Sequence, residues 1–450
     1  MKTWLLSRWD HLRGTFWFVP LLMVIGAVAL SLMMLTLDKA AAERGLELSL
    51  AWTFTRGPAG SRALLATVAG SMITIASVCF SITIVALQQA SSQFGPRLLY
   101  NFMRDRGNQV VLGTFIAGFT YCLLILRTVN GTEDDLFVPH LSVTVGLLLA
   151  LAGVAVLIYY VHHAASSIQA EHVIAGVSKD LGDAIQRLFP AKLGAGPENP
   201  DPETLLPTGF SERALPVNAN SSDYLQAVDV DRLMGLATAF DLVLELARRP
   251  GQFIVRGSPL VRVWPPDRVT EEVAKALQGA FYLGSRRTLF QDAEFAVDQL
   301  VEVALRALSP GINDPFTALA CVDRLGAALA DLADKQIPSP YRHDETGTLR
   351  VVAAGVTSAG IVDAAIHQIR QTGRGNTAVT LRLLEMIAAV APQVRAREMR
   401  DALLAQAKEI FQGSQEALPA EMDRVIARER YQAALTAFGI GMGSSSEETS

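Results

Sequence analysis

Four long apolar runs dominate the first third of the chain, at about 16–37, 63–90, 110–126 and 141–161, with short polar stretches between them. A helix crosses the hydrocarbon of a bilayer with about 20 apolar residues, so each run predicts a transmembrane helix. The first run is too long for the core of a signal peptide and no small-residue cleavage site follows it, which predicts a retained span. Ahead of it Trp4, Leu5, Trp9, Leu12 and Phe16 alternate with Lys2, Arg8 and Arg13, the pattern of an interfacial amphipathic helix. Tyr159 and Tyr160, near the end of the fourth run, fit an aromatic belt.

The second run differs from the others. On a helical period of about 100° per residue, Thr67, Gly70, Ser71, Thr74, Ser77, Ser81, Gln88, Gln89 and Ser92 fall on one stripe, and Thr83 is the main polar residue off it. Polar side chains at membrane depth need partners or water, because hydrocarbon supplies neither. Two readings follow: the hydroxyls pack this helix against its neighbours, or the stripe lines an aqueous path or the axis of an oligomer. Gly95 and Pro96 then stop the helix. No Asp, Glu, Lys or Arg lies deep in a run, which argues against a proton pump and leaves room for a weakly selective pore.

Basic residues set the orientation. Lys2, Arg8 and Arg13 precede the first run, and Arg97, Arg104 and Arg106 follow the second, whereas the loop after the third carries Glu133, Asp134 and Asp135. The positive-inside rule then places both termini in the cytoplasm. The first loop, with Lys39, Arg44, Arg56 and Arg62, runs against that rule.

Beyond the membrane part, 1–165, the fourth helix is expected to continue through Leu188 with Ile174, Val177, Leu181 and Ile185 on one face. His162, His163 and His172 cluster where it leaves the membrane, either as packing residues or as a pH sensor. Residues 166–220 read as this extension and a Pro/Gly-rich linker. A small α/β element is expected over 221–285, with strands at 224–228, 253–256, 260–264 and 280–283 and a helix over 231–248. Gly257-Ser258 predicts a hairpin between the middle strands. The segment PGQFIVRGSPLVRV resembles barrel-sandwich hammerhead domains such as biotinyl carriers, but its turn holds no lysine, so only a small β-barrel-like element is implied.

Residues 286–440 read as helices and 441–450 as a disordered polar tail. In the first of these helices Glu294, Asp298 and Glu302 recur at a spacing of four, which predicts a solvated face, a bound cation, or a facing partner such as Arg286 or Arg287. In LSPGINDPFTAL, Ser309, Pro310 and Gly311 end one helix, and Asp314 can cap the next with Pro315 at its first position. Asn313 and Asp314 could instead present oxygens to a ligand or a second subunit, and Arg286, Arg287 and Asp292 could form a ligand or interface cluster.

Composition narrows the function classes. A net charge of −5 implies no attraction to nucleic acid. Cys79, Cys122 and Cys321 share no ligand spacing, so neither disulfides nor a zinc site is read, and no cofactor is expected. No Walker loop, dinucleotide fingerprint, Gly-x-Ser-x-Gly elbow or His-Glu-x-x-His appears, so no enzyme is expected.

The strings SVCFSITIVALQQASSQFGPRLL and RTLFQDAEFAVDQLVEVALRALSPGINDPFTA resemble the bacterial membrane proteins called domain of unknown function 2254. The resemblance implies an inner-membrane protein with an N-terminal helical part and a cytoplasmic C-terminal part, and no activity. The expected fold is thus an α-helical membrane domain followed by a mostly helical α+β cytoplasmic domain. The leading functional expectation is a homo-oligomeric channel or transport protein for a small ion or solute, with Thr67, Ser71, Thr74, Ser77, Ser81, Gln88 and Ser92 lining the path or a helix interface. The other is a membrane-anchored sensor or scaffold whose cytoplasmic domain binds a ligand or protein.

Overall fold

The computed structural model describes residues 15–44, 57–96, 105–132, 135–167, 169–189, 206–335, 337–353 and 355–440. The expected interfacial helix before residue 15, the 190–205 part of the linker and the tail 441–450 lie outside them. The chain divides into two compact units, Met1–His172 and Val173–Ser450.

Four helices of the first unit are long and apolar enough to cross a membrane: α1 (Phe18–Glu43), α2 (Pro58–Phe94), α3 (Arg106–Leu126) and α4 (His140–Ser167). Short strands β1 (Asn130–Thr132) and β2 (Asp135–Phe137) pair between α3 and α4. Helix α3 packs against the other three and is the most buried of them. Phe115, Tyr121, Cys122 and Ile125 on α3 are closed off from solvent, against Leu65, Ala69 and Met72 of α2 and Val143 of α4.

Polar groups tie the ends of this bundle. Helix α1 runs beyond the expected span and brings Asp38 to the start of α4. There its carboxylate accepts from Leu141 N (3.0 Å), Ser142 N (2.9 Å) and Ser142 Oγ (2.5 Å), so a residue about 100 positions away fills the first-turn donors of α4. Arg62, at the start of α2, donates to the Val129 carbonyl beyond the last turn of α3 (3.0 and 2.6 Å). Of the two tyrosines expected at the membrane surface, Tyr159 is exposed but Tyr160 is 2% exposed and donates to the Cys79 carbonyl of α2 (2.7 Å). Thr83, off the stripe, lies on that same buried side, 3.1 Å from the Tyr160 hydroxyl.

Helix α5 (Ala170–Leu188) is separate from α4, where one continuous helix was expected. Its buried face is Val173, Ile174, Val177, Leu181, Ala184 and Ile185. Two elements, α6 (Phe210–Arg213) and β3 (Leu215–Asn218), lie inside the expected linker. Then follow β4 (Asp223–Val228), α7 (Val230–Ala239), β5 (Val243–Leu246), β6 (Phe253–Ile254), β7 (Pro259–Trp264), α8 (Glu271–Gln278) and β8 (Phe281–Gly284). The C-terminal part comprises α9 (Ala293–Ala307), α10 (Pro315–Ala333), β9 (Tyr341–His343), β10 (Leu349–Val352), α11 (Ser358–Thr372), α12 (Thr377–Val390), α13 (Arg397–Ala417) and α14 (Glu421–Ala437).

The strands form two open sheets, ordered β3-β7-β5-β10-β9 and β6-β4-β8. No closed barrel occurs among the described residues, so the barrel-like element is not found. The expected hairpin is absent too: β6 pairs with β4, whereas β7 pairs with β3 and β5. Gly257, at φ +85°, carries the chain from one sheet to the other. The helix expected over 231–248 ends at Ala239, because Asp241 adopts φ +48° and turns the chain into β5, whose Leu244 is buried in register with Val263. Strand β10, parallel to β5, joins that sheet from about 100 residues downstream, with β9 beyond it at the edge, in a region read as purely helical. Leu225, Leu233, Leu244, Val261, Leu277 and Val351 form the core between sheets and helices.

Candidate functional site

The face of α2 turned to the bundle consists of Ser61, Leu65, Ala69, Met72, Ala76, Cys79, Thr83, Ala90 and Phe94, all buried. Thr67, Gly70, Ser71, Thr74, Ser77, Ser81, Gln88, Gln89 and Ser92 are all exposed. On the helical wheel the two sets lie about 180° apart. The polar stripe therefore points away from the other described helices of the bundle, and packing among them does not account for it. Val78 and Val85 are the apolar positions on the outward face, and exposed Ile73, Phe80, Ile82 and Ile84 flank it.

The hydroxyls carry part of their own cost. Thr67 donates to Ala63 O (2.8 Å), Thr74 to Gly70 O (2.8 Å), Ser77 to Ile73 O (2.9 Å) and Ser81 to Ser77 O (2.9 Å). This back-bonding satisfies the donor and leaves the oxygen lone pairs facing outward. A glutamine amide has a carbonyl and two N–H donors to place, so Gln88 and Gln89 are the costlier members of the stripe.

A second cluster gathers around RTLFQDAE. Asp292 caps α9, accepting from Phe295 N (3.0 Å), and is 2% exposed. Arg287 donates to both Asp292 oxygens (Nε 2.8 Å, Nη2 3.0 Å) and to Asp298 (Nη1, 2.6 Å), with its guanidinium 5.1 Å from the Phe295 ring centre. Burial works against the Arg287 charge, but the Asp292 and Asp298 carboxylates outweigh it and hold the group more firmly protonated than an ordinary arginine. Arg249 meets Glu294 (2.9 Å). Glu294 and Asp298, on the acidic face of α9, thus each meet an arginine. Gly251, at φ +93°, backs directly onto the Asp292 carboxylate, where a side chain would collide. Gln291 exchanges two hydrogen bonds with the Val228 backbone (2.8 and 3.1 Å) and Gln226 donates to Arg286 O (2.8 Å). Arg287 and Asp292, read as ligand candidates, hold the segment after β8 onto the first turns of α9, while Gln226 and Gln291 tie β4 to that segment, and Arg286 is exposed.

The turn before α10 behaves as a helix stop and restart. Asn313 takes φ +50° and is exposed. Asp314 accepts from Thr317 N (3.2 Å) and Thr317 Oγ1 (2.6 Å), with Pro315 in the first turn. Cys321 on α10 is fully buried, which pushes its thiol up to about 12.

A third polar group carries no motif in the sequence. Arg350 is 8% exposed and donates to Asp344 (2.7 Å) and Asp241 (2.7 Å). The Asp344 carboxyl is held well below the usual range by the Thr346 hydroxyl and Arg350, and that of Asp241 is lowered by Arg350 and then Arg268. Carboxyls depressed in the folded state contribute stability above their ordinary value of about 3.9 and lose it as pH falls toward the folded values. The wild-type denaturation midpoint is therefore expected to fall between about pH 5 and about pH 3, and Asp344→Asn to fall less over that window. Denaturant titration of both proteins at each pH checks this. Among the described residues, no group of three His, Cys, Asp or Glu is arranged to hold a metal ion.

Four long apolar helices with a polar outward face, followed by a unit of helices and two open sheets, define a multi-pass membrane protein with a large extramembrane part. The family model for a predicted membrane protein, domain of unknown function 2254, matches residues 13–389, and the chain belongs to that family. Uncharacterized proteins of Mycobacterium bovis and Mycobacterium tuberculosis are each 32% identical to it over 425 residues, covering 93% of this chain and 79% of theirs. No solved structure matches the chain.

Proposed function

We propose that copies of the chain assemble around the polar faces of α2 in the bacterial inner membrane, and that the assembly passes a small ion or solute. The observation that carries this reading is the direction of the stripe, opposite the side that packs in the bundle. Thr67 and Ser92 are 25 residues apart on one helix, which separates them by about 38 Å at the rise of an α-helix. That exceeds a hydrocarbon thickness of about 30 Å, so the polar face is long enough to serve as a complete transmembrane lining. Neighbouring copies or water would supply the partners that lipid denies to Gln88 and Gln89.

Both termini are cytoplasmic in this reading, and the second unit acts as vestibule or gate. Arg62, a first-loop residue that runs against the positive-inside pattern, is engaged by the Val129 carbonyl, which accounts for one of the four discordant charges. The test is the oligomeric state in lipid nanodiscs together with ion flux from proteoliposomes. A closed ring of four or more with flux is expected. A monomer or dimer without flux contradicts the proposal and leaves a membrane anchor for a cytoplasmic sensor or scaffold.

A further inference from the structure

We propose that His163 and Asp105 form a proton-operated latch between the start of α3 and the end of α4. His163 Nε2 lies 2.6 Å from Asp105 Oδ2, and both side chains are about one-fifth exposed, at 19% and 22%. The other carboxylate oxygen, Oδ1, accepts from Gly107 N (2.8 Å) and caps α3. One carboxylate thus holds the first turn of one span and the last turns of another.

The imidazole is fixed from two further sides. It stacks on Tyr159 with ring centres 5.4 Å apart and planes 14° from parallel. It also lies against Gly107, where a Cβ would stand 2.5 Å from Nε2 and 2.9 Å from both Cδ2 and Cε1. Glycine is required at 107 for the ring to reach the carboxylate.

The charges around the pair are few. From α3 there is Asp105 itself and the exposed Arg106; from α4, Tyr159 and the exposed His162; Glu171 and His172 follow in the first turn of α5. Helix α2 carries its one charged residue, Arg62, in its first turn, and Asp38, Lys39 and Glu43 lie in the last turns of α1. Arg97 and Arg104 stand in the segment between α2 and α3, outside the described residues.

Imidazole changes charge between pH 5 and 8. Neutral, protonated at Nε2, it donates one hydrogen bond to the Asp105 carboxylate; protonated on both nitrogens, it keeps that bond and adds an ion pair across it, worth on the order of 0.2–1 kcal/mol for a partly exposed pair. The latch is therefore tighter with the ring protonated and relaxes when the ring gives up that proton. It sits four residues before α4 ends at Ser167, where loosening frees the end of that span.

Hydrogen exchange of the full chain in nanodiscs tests the latch, read in segments 105–112 and 158–166 and corrected for the intrinsic pH dependence of amide exchange. Wild type is expected to exchange about threefold more slowly at about pH 5.5 than at about pH 8, the size of a partly exposed ion pair. His163→Gln keeps a hydrogen-bond donor without a titratable proton, and its corrected exchange is expected to be flat across that range. Gly107→Ala leaves both ionisable groups in place but displaces the ring, and is expected to exchange faster and without pH dependence. No pH dependence in wild type, or the wild-type dependence retained in either variant, overturns the proposal. Each variant is read on its own, so failure of one to fold leaves the other as the test.

Discussion

Arg287→Met is expected to lower the stability of the second unit by about 3–5 kcal/mol, the usual cost of breaking a buried ion pair from one side. The size follows from what remains. Asp292, 2% exposed, keeps its negative charge and its cap on Phe295 N but loses both guanidinium bonds, and Asp298 loses its partner as well. The thioether of methionine replaces the stem of the arginine and none of its donors. Asp292→Asn on the Arg287→Met background removes the orphaned charge while leaving a side-chain oxygen for the helix cap, so the double variant is expected to recover part of the loss. Denaturant midpoints of wild type, both single variants and the double variant measure this directly. Additive losses would show that the two side chains are not coupled.

The four spans are legible in the sequence because length and apolarity alone decide them. The stop and restart at Ser309–Pro315 is legible because Asp314 acts within three residues of itself, on Thr317. What escapes is the long-range pairing. Asp38 reads as a loop residue just past the first span, and only the fold brings it to Ser142. Tyr159 and Tyr160 are equivalent by composition, yet one faces outward and the other reaches the Cys79 carbonyl. Strand β5 reads as part of a helix in the sequence because VLEL within an apolar stretch fits either period, and its partners β7 and β10 decide the matter.

The α2 stripe shows the same division. Periodicity placed the hydroxyls and glutamines on one face, but a period carries no information on which way that face turns. The small residues Ala69 and Ala76 and the flexible Met72 on the opposite side determine it, since they allow α3 and α4 to approach closely. Arg286, Arg287, Asn313 and Asp314 were ambiguous between ligand and structure. Arg287 and Asp314 are occupied by Asp292, Asp298 and Thr317.

The most direct test of the proposed path is the reactivity of single cysteines with a membrane-impermeant thiosulfonate, applied to the protein in lipid vesicles. The native background is quiet: Cys79, Cys122 and Cys321 are 3%, 0% and 0% exposed. The thiolate attacks the thiosulfonate sulfur and expels sulfinate, and the thiolate forms in water and not in hydrocarbon. Thr74→Cys, Ser77→Cys and Ser81→Cys on the outward polar face should then react on the order of a hundredfold faster than Ile73→Cys and Phe80→Cys on its apolar flank. All five positions are exposed in a single chain, so only water along the stripe separates the two groups. That contrast is the predicted result; equal and slow reaction at all five would contradict a water-filled path along α2.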